Sequence, residues 1–311
     1  MIAAKSVAYF TAVDKALVRA ILYFDIFNYP ITADEARAFA PSSIKGRSDH
    51  LLDNLVSQGI LFKLDEFYSV RNDPSMVTKR LEGNRLAERR MQTARKYSRL
   101  IASFPFVRAV MLSGSISKNF MVKDSDIDYF IVTEKKRLWI ARTMLTVFRR
   151  VFLLNSLRNF CVNYFIDTDH LEIPDHNIFT ATELATLRSM YGASVIREFR
   201  NQNQWVSRSL PQVAFDANSI NERNFYLKRF VEGLALFVPM DGLNTWLMNI
   251  SRARWKRKYQ TQYEETDFEI AFRCQEGVSK CHPRFFQKRA LDLLENKIRA
   301  FEFQHGIDLM L

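Results

Sequence analysis

Val110-Met111-Leu112-Ser113-Gly114-Ser115-Ile116-Ser117-Lys118-Asn119, continued by Phe120-Met121-Val122-Lys123 and Asp124-Ser125-Asp126-Ile127-Asp128-Tyr129-Phe130-Ile131-Val132, holds the densest group of chemistry-bearing residues in the chain. An apolar strand runs into Gly114. Glycine there lets backbone N–H groups approach a phosphate, and the Ser113 and Ser115 hydroxyls stand beside it. A helix starting at the same point would aim its positive end at that anion. Ten residues separate Ser115 from Asp126, and Asp128 follows two further on. Placed at the start of a second strand, period two puts both carboxylates on one face. Paired oxygen ligands of that kind suit Mg²⁺ or Mn²⁺ bridging to nucleotide phosphates.

Leu138 to Leu154 reads as a helix and Phe160 to Ile166 as a further strand, which makes residues 105–179 a β-loop-β-α-β core. Upstream, residues 1–74 read as three short helices and a hairpin, the order of a winged helix. Val13, Ala16, Leu17, Ala20, Ile21 and Phe24 recur at helical spacing, and Thr32 with Glu35 forms a capping box. Leu51, Leu52, Leu55 and Val56 stop at Gly59, and Ile60–Lys63 and Phe67–Val70 flank a tight turn. Residues 75–104 are basic helix formers and read as a linking helix. Arg85, Arg89, Lys96 and Arg99 on it fit either a polyanion groove or a solvated face. From Thr180 to 311 the pattern is helical throughout, with a capping box at Thr180–Glu183 and breaks at Pro211, Pro239 and Pro283.

The Gly-Ser and Asp-x-Asp pair, joined at that spacing between two apolar strands, resembles the polymerase β nucleotidyltransferase superfamily over about residues 105–170. In its common bacterial form Gly-Ser is followed by Arg-Ala-Arg-Gly. Here Lys118 falls at the second Arg, and Asn119 replaces the second Gly. The N-terminal winged-helix-like unit and the helices that follow add a likeness to bacterial nucleotidyltransferase-domain proteins.

The resemblance implies an α+β fold with a mixed-sheet core, and a cytoplasmic enzyme moving a nucleoside monophosphate from a nucleoside triphosphate to a hydroxyl on RNA, protein or a small molecule. Asp126 and Asp128 would hold Mg²⁺ (or Mn²⁺), and Ser113, Gly114, Ser115 and Lys118 the triphosphate. A third carboxylate is expected at the central in-phase position of the later strand, and that position is Asn163. Asp167, in phase with it, is the substitute. An amide at position 163 also admits an alternative, a lapsed enzyme acting as a nucleotide- or nucleic-acid-binding or regulatory module.

Net charge is +11, divided as −1 over residues 1–74, +6 over 75–104 and +6 over the rest. The winged-helix-like unit therefore lacks the cations that duplex binding needs, which argues against sequence-specific DNA reading. Arg252, Arg254, Lys256, Arg257 and Lys258 around Trp255 and Tyr259 fit either single-stranded nucleic acid or a solvated helix anchored by two aromatics. His170 and His176 lack metal-knuckle spacing and read as a polar loop. Cys161, Cys274 and Cys281 suggest buried thiols in a reducing compartment. Neither a secretory leader nor a membrane span is read in the chain.

Overall fold

The computed structural model describes residues 10–213, 224–235, 237, 239–263, 268, 271–281 and 286–310. Pro283 and the first nine residues lie outside them. The N-terminal unit comprises α1 (Ala12–Asp25), α2 (Ala33–Ala38), α3 (Asp49–Ser57) and the hairpin β1 (Phe62–Leu64) and β2 (Phe67–Ser69). Thr11 with Asp14 and Thr32 with Glu35 form capping boxes, each satisfying two N–H groups that a helix start leaves open. Leu17, Ile21, Ile31, Leu52 and Leu55 make its core.

One helix, α4 (Ser75–Ala102), spans two cores. Val77 near its start packs with Leu64 and Phe67 of the hairpin, while Ala87, Met91, Ala94 and Ile101 pack on the central sheet. That sheet has six strands in the order β6-β3-β4-β5-β8-β7, and the chain is α+β. The strands are β3 (Val107–Ser113), β4 (Asp128–Thr133), β5 (Cys161–Asp167), β6 (Arg188–Tyr191), β7 (Cys274–Gln275) and β8 (Val278–Lys280). Among the described strands only β4 and β5 run parallel, joined by α6 (Leu138–Phe152), so the sheet is mixed. Alternation sends Val110, Leu112, Tyr129, Ile131 and Phe165 into one core with Trp139 and Trp255. Met111, Phe130, Val132 and Ile166 point the other way, against α7 (Ile178–Ala185), α8 (Ala193–Gln202) and α9 (Trp205–Ser209). Further described helices are α10 (Tyr226–Ala235), α11 (Met240–Tyr259) and α12 (Phe286–His305).

Several expectations are corrected. Residues 180–311 are not helical throughout, because β6, β7 and β8 all come from them and complete the sheet that residues 105–179 begin. Nor is that segment one body. α12 sends Leu294 and Phe301 into the N-terminal core, and its Lys297 meets the buried Asp25 at 2.5 Å, opposite Arg71 at 2.7 Å. α11 instead packs Trp255 on Trp139. Thr180 does not cap α7. Asn177 does, accepting from the Thr180 N–H at 2.9 Å, so Glu183 lies inside the helix with its side chain free for another partner. No described helix is long and apolar enough to cross a membrane.

Candidate functional site

β3 ends where β4 begins, Ser113 pairing with Asp128 across the ladder. Gly114 follows with φ at +68°, and a Cβ there would stand 2.6 Å from Asp128 Oδ2. Only glycine lets the chain turn this close to the carboxylate. The helix expected at Gly114 is a single turn, α5 (Gly114–Ser117), braced by the Ser117 hydroxyl donating to Gly114 O at 2.8 Å. At that length it supplies no macrodipole, and what remains for an anion is the backbone of the turn and the Ser115 hydroxyl. Asn119 takes φ of +56°, a left-handed turn that asparagine tolerates better than most residues. Its carbonyl accepts from the Asn84 side chain of α4, fixing the loop.

Asp128 opens β4, while Asp126 sits two residues earlier in the loop, so only one of the pair lies within the strand. Ile127 between them is nonetheless held extended, its N–H donating to Arg158 O at 3.1 Å and its carbonyl accepting from Cys161 N at 3.1 Å. Asp128 is raised to about 6, first by burial, then by the negative charges of Asp126 and Glu183. The neighbouring thiol of Cys161 is pushed up by burial and by Asp128. A cation at this mouth would relieve the accumulated negative charge. No hydrogen bond or ion pair ties the Asp126 carboxylate to a described residue.

Asn163 and Asp167 part company. β5 carries a bulge: Val162 pairs with Tyr129 and Tyr164 with Phe130, leaving Asn163 as the extra residue. The Asn163 amide donates to Asp128 Oδ1 at 3.1 Å, so Asn163 faces the site beside Cys161, whose thiol also hydrogen-bonds Asp128. The extra residue also reverses the alternation beyond it. Phe165 now shares a core with Val162, three positions earlier, and Asp167 follows Phe165 on that face, away from Asp128. Asp167 pairs with Thr133, five residues and about 17 Å along β4 from Asp128. There it accepts from the backbone N–H groups of Lys136 and Asp169 and meets His170 Nδ1 at 2.6 Å. The assignment of Asp167 as substitute third acid is therefore overturned by geometry.

Lys118 lies at the mouth but is engaged, its ammonium 2.7 Å from Glu183 Oε1 and 3.3 Å from Gly114 O. Glu183 of α7 is the site residue that sequence reasoning missed. It stands 65 positions from Lys118, and no local pattern marks it. Among the described residues no group of three His, Cys, Asp or Glu side chains is arranged to hold a metal ion. The candidate set is the two aspartates. Trp255 and Tyr259 are spent on Trp139 and Phe272, which favours the anchored-helix reading of the basic run over base stacking by these rings. No protein-family model, curated protein or solved structure matches the chain.

Proposed function

We propose that the mouth formed by Gly114-Ser115, Asp126 and Asp128 binds a nucleoside triphosphate with Mg²⁺ or Mn²⁺, and that the protein is a nucleotidyltransferase acting on a hydroxyl-bearing acceptor. The observation that carries this reading is the close approach of Gly114 to Asp128, which joins a side-chain-free backbone turn to a carboxylate with no cation paired to it among the described residues. Mg²⁺ commonly binds through one or two carboxylates and completes its shell with water and substrate phosphates, so two aspartates fit it. Asp126 and Asp128 would hold the ion, which when bound supplies charge neutralisation at the phosphates. The turn N–H groups and the Ser113 and Ser115 hydroxyls would hold the phosphate oxygens. Lys118 would join them on leaving Glu183, exchanging a carboxylate for a phosphate.

A second reading, nucleotide binding without transfer, draws on one observation. Asn163 faces Asp128 where an acid would accept the attacking proton, and an amide cannot do so. The test has two parts. Calorimetry of Asp126→Asn combined with Asp128→Asn should show metal-dependent triphosphate binding lost, and binding equal to wild type would refute the site. Incubation of wild type with α-labelled triphosphates and cell RNA, protein or small-molecule extracts should then show label transferred. Binding without transfer would establish the second reading.

A further inference from the structure

α6 outruns the core it packs on. Leu138, Trp139, Ile140, Ala141 and Leu145 are buried, but its last turn and the following loop project from the sheet. Phe152 is 69% exposed and Leu154 90% exposed, with Val151 beside them. This tip is ordered by its own backbone: Asn155 N–H donates to Arg149 O at 3.0 Å and Ser156 N–H to Leu153 O at 2.8 Å. Leu154 and Asn155 both take positive φ, +47° and +61°.

The charge around the tip is of one sign. From Lys135 to Ile166 the chain has seven Lys or Arg and no Asp or Glu. Lys136 and Arg137, at the other end of α6, are matched by Asp241. Arg149, Arg150 and Arg158 at the tip have no ion-pair partner among the described residues, and Arg90 of α4 reaches only Arg158 O and Asn159 Oδ1. The Nε atoms of Arg90 and Arg149 are buried without a hydrogen bond. Burial and neighbouring like charge lower both guanidinium groups. Arg150 and Arg158 are exposed and Arg90 and Arg149 half-buried, and none of the four is ion-paired to a carboxylate among the described residues, so the cluster offers guanidinium groups that an external polyanion would engage.

The tip also adjoins the proposed active site. Arg158 O receives the N–H of Ile127, the residue between the two aspartates, and Arg90 lies within electrostatic reach of Asp126. We infer that this tip is a docking surface for single-stranded polynucleotide, whose terminal hydroxyl it presents as acceptor to a triphosphate held at Asp126 and Asp128: the hydroxyl oxygen bonds the α-phosphorus, pyrophosphate leaves and the hydroxyl proton passes to water. The acceptor role rests on the nucleotidyltransferase reading; the binding surface does not. A polynucleotide is at once the polyanion that the arginines lack and an alcohol. Guanidinium groups fork onto phosphates, and the Phe152 ring, stacked on Phe148 at 4.9 Å yet still largely exposed where Trp255 is buried, gives an unstacked base a platform that extends this stack. A duplex keeps its bases stacked inside and would leave that ring unused.

The test uses the full chain and a fluorescein-labelled oligouridylate of about twelve nucleotides, followed by anisotropy between about 50 and 200 mM salt. Wild type should bind with a steep salt dependence. Arg150→Gln with Arg158→Gln should weaken binding about tenfold and reduce the log–log salt slope by about 1.4, at roughly 0.7 per lost phosphate contact. Phe152→Ser should weaken binding about fivefold or more with the slope unchanged, because it removes stacking and no charge. Each site is solvent-exposed, and thermal melting verifies that the variants fold. Absence of binding, equal binding by the variants, or equal affinity for a duplex overturns the inference. So does association with phosphatidylserine vesicles without oligonucleotide binding. The calorimetry with triphosphate is independent: triphosphate bound without oligonucleotide refutes this surface alone, and the converse refutes the nucleotide site alone.

Discussion

The two ends of the β4–β5 pair each carry a carboxylate, and they have opposite histories. At the far end Asp167 is 1% exposed and spends its oxygens on two backbone N–H groups and a histidine. At the mouth Asp128 has the Asn163 amide and the Cys161 thiol as donors, two like charges within reach and a raised pKa, and Asp126 has no hydrogen-bond partner among the described residues. The contrast shows that a carboxylate's role follows from how completely the protein satisfies it. Asp167 is a structural acid that ties the β4–α6 turn to the end of β5, whereas Asp126 and Asp128 keep valences open, Asp128 at a cost in stability.

Removing the satisfied acid should have the largest effect. Asp167→Ala strands two N–H groups and a histidine in a buried setting, with an expected loss of about 3 kcal/mol in urea unfolding and little change in triphosphate affinity per folded molecule. A variant as stable as wild type would break the contrast at its structural end. Gly114→Ala is expected to cost about 2 kcal/mol, since alanine at φ of +68° is strained and its methyl displaces Asp128 Oδ2. Here metal-dependent binding should fall with stability, and retention of full affinity would show that the close approach is incidental.

The smallest effect has the opposite sign. Asp128 is raised from the ordinary 3.8 to about 6, so the folded chain binds its proton more tightly than the unfolded chain does. Stability from this group is full below about pH 4 and declines as pH rises through 6. Asp128→Asn removes that decline. In chelator-treated protein at pH 7 it should be more stable than wild type by about 1 kcal/mol, a figure reduced for partial solvent screening, and the gain should vanish below pH 4. A destabilised variant at pH 7, or a gain independent of pH, would show that Asp128 is satisfied after all.

What was legible in the sequence is what a few neighbouring residues encode. The Gly-Ser turn after an apolar strand, the aspartates before the next one, the capping box at Thr32 and the stop at Gly59 each depend on contacts a few residues apart, and each appears where local chemistry puts it. The α+β class, implied by the resemblance, agrees with the mixed sheet and helices of the structure. Tertiary structure alone decided the rest. The Asn163 bulge arises where β5 pairs with β4, and one extra residue in a period of two carries Asp167 to the opposite face. Glu183 meets Lys118 only because α7 packs beneath β3 and β4, and α12 joins the N-terminal core through apolar contacts across most of the chain's length. Register and long-range packing are settled by which distant surfaces bury each other most fully, and no window of sequence contains both partners of that choice.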